Sequence, residues 1–188
     1  MTRARWILLG IVLVLLWGTR FVVNPRPVRG PTDAVAEKQL GDQAFDSALW
    51  WEASRHYRAA FALEPARSED RRAHRAFLAQ QTAAAFGRIV TEGPTGLSIA
   101  ERRTAKGYAS LWLDEALALD ASRGWLHYER ATLHDQGPEE LREPDIARAA
   151  YEAFVRWVED EAQPGRGKPK SGDPAVAAAR QRIEALAG

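Results

Sequence analysis

Between Gly41 and Pro65, small residues recur at the intervals that two antiparallel helices need in order to pack against each other. Gly41 has no side chain and Ala53 only a methyl group, so two helix backbones are expected to approach closely where they cross. Ala53, Tyr57, Ala60 and Phe61 follow at intervals of four, three and one, which lays a single apolar face along the second helix. Pro65 cannot continue that helix and biases Glu64 away from helical torsions, so the stop falls after Leu63. A hairpin of this kind cannot bury its apolar face alone. It argues for a stacked all-α array in which each pair of helices covers the next.

Leu40, Gly41, Ala53, Tyr57, Ala60 and Pro65 stand at the spacing of a tetratricopeptide repeat, and the segment resembles that family. Two positions depart from it. Glu37 stands where the family usually has a large aromatic residue and Ala44 where it usually has a tyrosine; Phe45 and Trp51 are the residues available to supply the missing bulk. The resemblance implies helix-turn-helix units of about 34 residues. It also implies a concave groove, lined by the first helix of each unit, that holds a peptide or a protein surface. Lys38, Gln39, Asp42, Phe45 and Asp46 are then the candidate groove residues. One variant of the family clamps a C-terminal carboxylate with lysine and asparagine. Lys38 fits that pattern, but Asp42 replaces the asparagine and would repel a carboxylate. In the pair Trp50-Trp51, adjacent helical positions point about 100° apart, so both seldom enter one core. The sequence reading places Trp51 in the core and Trp50 against a partner.

The front of the chain has a different character. Residues 1–32 carry five arginines and no acid, whereas the rest carries 21 basic and 25 acidic residues. A cationic arm on a mildly acidic body does not match a nucleic-acid binder, whose basic residues would line the folded surface. Trp6 to Gly18 is an uninterrupted apolar run of 13 residues. At 1.5 Å per residue such a run covers only about 20 Å of a bilayer core of about 30 Å, so a membrane span has to extend through Thr19 toward Val23. Arg20 would then snorkel to the headgroups, with Trp6 and Trp17 in the interfacial belts. A removed signal peptide is the rival reading, but Thr19-Arg-Phe-Val-Val23 offers no small-x-small cleavage site. The expected layout is a tail and anchor over 1–23, a proline-rich spacer over 24–32, a helical domain over 33–162, a linker over 163–173 and a terminal helix over 174–188. The short N-terminal tail favours the cytoplasm and places the body in the periplasm, at a bacterial inner membrane crossed once.

Within the body, the pattern predicts helices over about 34–46, 47–63, 69–90, 98–120, 125–136, 143–161 and from 174 onward. On the fourth, Tyr108, Leu111, Trp112, Glu115 and Ala116 are read as one face; on the sixth, Ile146, Ala150, Phe154, Trp157 and Val158 form the stripe. The last helix either caps the array or docks on a partner.

Motifs for chemistry do not emerge. His56, His74, His127 and His134 fall at no metal-ligand spacing, the chain has no cysteine, and phosphate loops and the nucleophile elbow are missing. The expectation is a non-enzyme without cofactor, nucleic acid or small-molecule substrate. It would be a scaffold or accessory subunit held in the bilayer by residues 6–23 and bound to protein partners in a larger membrane complex, respiratory or photosynthetic by analogy. A periplasmic chaperone or biogenesis factor and an enzyme with an unrecognised site are the alternatives.

Overall fold

The computed structural model describes residues 33–65, 68–160, 162 and 168–187. The anchor and spacer, with Trp6, Trp17 and Arg20, lie outside these residues, as does the 163–167 part of the linker. Among the described residues no helix is long and apolar enough to cross a membrane.

All regular structure among the described residues is helical. It comprises α1 (Ala34–Asp46), α2 (Trp50–Leu63), α3 (Glu69–Glu92), α4 (Ile99–Leu119), α5 (Trp125–Asp135), α6 (Pro144–Glu159) and α7 (Pro174–Ala185), with a 3-10 turn, Glu139–Leu141, ahead of α6. Local chemistry sets the starts. The side chains of Asp33, Ser68 and Asp173 accept hydrogen bonds from Ala36, Arg71 and Ala175, and Ser98 with Glu101 closes a reciprocal capping box. Arginines close several ends. Arg102, from α4, donates to the carbonyls of Ile89, Val90 and Gly93 at the end of α3, and Arg75 donates to those of Phe61 and Glu64 at the end of α2.

Each helix packs on its neighbour in sequence, and the alternate helices also touch. Lys38 of α1 lies over the Phe77 ring of α3, 5.4 Å from its centre, while Gln80 of α3 bonds Glu129 of α5. Phe61 of α2 meets Trp112 of α4 edge-on at 5.0 Å. Three apolar clusters result. One joins α1, α2 and α3 through Ala44, Ala53, Tyr57, Ala60 and Leu78; one joins α3 and α4 through Ala83, Phe86, Ile89, Ala109 and Leu113; the last joins α5, α6 and α7 through Ala131, Phe154, Trp157 and Val176. Alanine dominates, so the helices sit close together and bulky side chains are pushed to the margins.

That closeness corrects three sequence readings. On α4 the buried face is Ala105, Lys106, Ala109, Leu113 and Ala116, while Tyr108 and Leu111 stay 44% and 60% exposed. On α6 Ile146 is exposed, and Ala147 and Tyr151 take the buried places. The two tryptophans are reversed: Trp50 is half-buried and meets Phe45 edge-on at 5.0 Å, whereas Trp51 is 44% exposed. The cause is the preceding turn. α1 ends at Asp46, Ala48 adopts a left-handed φ of 57°, and Leu49 N–H reaches back to the Ala44 carbonyl at 2.8 Å. This delays α2 to Trp50 and rotates its face from the one a start at Ser47 would give.

Between α4 and α5 the packing changes kind. Leu126, Leu133 and Leu141 reach the α3–α4 cluster, but much of this seam is charged. Lys106, buried in α4, donates to the Leu141 carbonyl and the Glu143 carboxylate, and Asp114 pairs with Arg130 at 2.8 Å. Arg123 donates to Gln80 and to the Ala73 carbonyl.

Candidate functional site

Gly41 lies where α1 crosses Tyr57 of α2. A Cβ there would lie 2.7 Å from the Tyr57 ring, so the aromatic face rests directly on the α1 backbone. Leu40 is half-buried beside it, Ala53 and Ala60 are fully buried, and Pro65 follows the end of α2. Tyr57 Oη donates to Asp42 Oδ1 at 3.0 Å, and Lys38 Nζ donates to Asp42 Oδ2 at 2.6 Å. Burial, and then the Asp42 carboxylate, push the Tyr57 hydroxyl above its usual range. Among the candidate partner-binding residues, Lys38, Asp42, Phe45 and Trp50 therefore hold α1 to α2 and α3. Gln39 and Asp46 face solvent.

Three histidines each pair with a glutamate on the neighbouring segment. His56 Nδ1 lies 2.7 Å from Glu37, His74 Nδ1 2.9 Å from Glu64, and His134 Nδ1 2.6 Å from Glu143. In each pair Nδ1–H faces a carboxylate, an assignment that follows from the acceptor. Glu37 thus fastens α1 to α2 through its hydrogen bond with His56. Glu64 is buried at the α2–α3 turn. Burial pushes its carboxyl up, but hydrogen bonds from Arg71 at 2.6 Å and from His74 outweigh this and hold it below the ordinary range. At the α4–α5 seam burial lowers the His134 pKa, and its Nε2 is buried without a partner. Beside it a shallow pocket of about 440 Å³ is lined by Arg103, Lys106, Ser110 and Asp114. Glu129 is pushed up to about 6, chiefly by burial, against the opposing pull of Gln80 and Arg123. Among the described residues no group of three or more His, Asp or Glu side chains is arranged to hold a metal ion.

The surface that stands out lies across α2, α3 and α4. Trp51 meets Phe86 edge-on at 5.8 Å, and Phe86 stacks with Tyr108 at 5.1 Å. Phe86 is buried, so it fixes the two outer rings from beneath while both remain open to solvent. Further along, α2 and α4 enclose a cleft of about 460 Å³ lined by Arg55, Arg58, Ala59, Phe61, Ala62 and Trp112. Arg75 stacks under Phe61 at 4.0 Å and stiffens that wall. Leu111 adds an exposed aliphatic side chain on the same helix as Tyr108. The sequence reading puts Trp51 in the core and Tyr108 and Leu111 on one helical face; all three stand open to solvent. On α4 the signal that marks Tyr108 and Leu111 as surface is the run Ala105, Ala109 and Ala116, which already completes a face at helical spacing without them.

The chain matches no protein-family model, no curated protein and no solved structure.

Proposed function

We infer that the chain is a non-catalytic scaffold or accessory subunit that holds a protein partner, and that its helices form a tetratricopeptide-like array. The observation that carries this reading is the aromatic surface formed by Trp51 and Tyr108 over Phe86. Large rings kept open to water, yet immobilised from below, lose little freedom when a partner covers them. The helix pairs and the direct contacts between alternate helices support the repeat reading. The close rest of Tyr57 on Gly41 supports it too. Residues 6–23 supply the proposed anchor, which places the body beside a bacterial inner membrane, on the periplasmic side, within a larger complex.

The test is native mass spectrometry of full-length protein extracted gently from its own membranes. A partner at fixed stoichiometry is the expected result. A lone monomer in every detergent tried would defeat the proposal.

A further inference from the structure

The reading above leaves open what chemistry the partner offers, and the cleft between α2 and α4 restricts it. Its floor is aromatic, from Phe61 and Trp112, and its α2 wall carries Arg55 and Arg58. Arg58 has no ion-pair partner among the described residues, and Arg55 has only a loose contact to Glu52 at 3.8 Å and a hydrogen bond with His56 at 3.3 Å. The guanidinium groups are thus left with most of their donors for an outside acceptor. Next to them stand the exposed rings of Trp51 and Tyr108 and the Leu111 side chain. Glu115 lies one helical turn beyond Leu111, so positive charge is concentrated on the α2 side. We propose that this cleft is a docking groove for an extended, acidic segment of a protein partner, in which carboxylates alternate with aromatic or aliphatic side chains.

The alternation follows from geometry. An extended segment points successive side chains to opposite sides, so carboxylates reach Arg55 and Arg58 while apolar groups reach the floor and the rings. About eight extended residues span about 26 Å, enough to run the length of α2, whose 14 residues rise about 21 Å. A flat lipid surface fits less well, because Phe61 and Trp112 line a cleft and do not project.

The inference rests on the scaffold reading, and its test separates the two. Full-length protein in detergent micelles is titrated into a fluorescein-labelled octapeptide alternating Glu with Leu and Phe, with empty micelles as blank and anisotropy as readout. Peptides with Gln or Lys in place of Glu serve as comparisons, and phosphatidylglycerol vesicles as the lipid arm. The Glu peptide is expected to bind at least about tenfold tighter than the Gln peptide, a difference of one charge-assisted contact or more, and the Lys peptide is expected not to bind. Arg58→Glu and Tyr108→Ser should each weaken binding about tenfold or more, with Arg58→Gln intermediate; the Arg58 variants should melt as wild type, and Tyr108→Ser, which loses its stack on Phe86, about 2–4 °C lower. Equal binding of the Lys peptide, or full binding by Arg58→Glu and Tyr108→Ser, overturns the groove. So does arginine-dependent binding of the vesicles alone. If both variants still carry the native partner at wild-type stoichiometry, the groove is wrong and the scaffold stands; if wild type carries none, the scaffold itself fails.

Discussion

Replacing Gly124 by alanine is expected to disrupt the C-terminal half of the molecule, although the backbone there suits any residue. Gly124 caps α5 with φ −58° and ψ −19°, so no torsional strain arises. The obstacle is Trp157 of α6. A Cβ on Gly124 would lie 1.8 Å from indole Cδ2 and 2.2 Å from Cε2 and Cγ. Ordinary contact begins near 3.4 Å, so the indole has to retreat by at least 1.6 Å. Trp157 is 4% exposed and packs beside Phe154 with a centroid separation of 6.1 Å, which leaves a rigid ring no free volume to enter. Overpacking of this kind costs about 1–3 kcal/mol, and driving a tryptophan from its pocket costs about 3–5 kcal/mol. A loss of about 3 kcal/mol is the expected middle, or a fall in Tm of about 6–12 °C for a chain of this size. Thermal unfolding of full-length protein followed by circular dichroism measures it. Combining Gly124→Ala with Trp157→Leu should return at least about 1 kcal/mol, because the clash is then relieved. Gly87→Ala is the control: nothing lies within 4 Å of its Cβ, so it should stabilise α3 by about 0.5–1 kcal/mol. A Gly124→Ala variant melting within about 1 °C of wild type would refute the reasoning.

Three other substitutions test particular features. Ala48→Gly should stabilise by about 0.5–1 kcal/mol in urea denaturation, since Ala48 holds a φ of 57° that glycine adopts without a Cβ clash. Glu64→Gln should lower stability by about 1–3 kcal/mol near neutral pH. Because the folded carboxyl titrates below its ordinary value of 4.5, that deficit is complete above pH 4.5 and closes as the pH falls through the lower folded value. Glu129→Gln has the opposite sign. The folded carboxyl is pushed up to about 6 from 4.5, so wild type loses stability as the pH rises through that interval. The variant should therefore be more stable by about 1–2 kcal/mol above pH 6, with no advantage below 4.5, read from urea midpoints across the pH range.

Helix positions were legible in the sequence because they depend on neighbours along the chain. Asp33, Ser68, Ser98 and Asp173 announce the starts, and Pro65 and Gly93-Pro94 the stops. Helix faces were less legible where alanine builds the core. Large apolar residues draw the eye to Tyr108, Leu111 and Ile146, yet closely packed alanine faces have no room for them. The phase of α2 depended on one non-glycine residue in a left-handed conformation, which composition does not reveal. The interior use of Lys106 was hidden because Glu143 and the Leu141 carbonyl lie far along the chain from it. The engagement of Asp42 and Lys38 was hidden for a similar reason: Tyr57 and Phe77, which claim them, come from other helices.

The joint between α4 and α5 sets charge pairs beside buried leucines within one compact unit. Oily contacts tolerate dissolved ions, whereas exposed charge pairs weaken as ions crowd around them. Brine should therefore weaken the Asp114–Arg130 pair while Leu126 and Leu133 keep α5 seated, so that this joint relaxes in salt without parting.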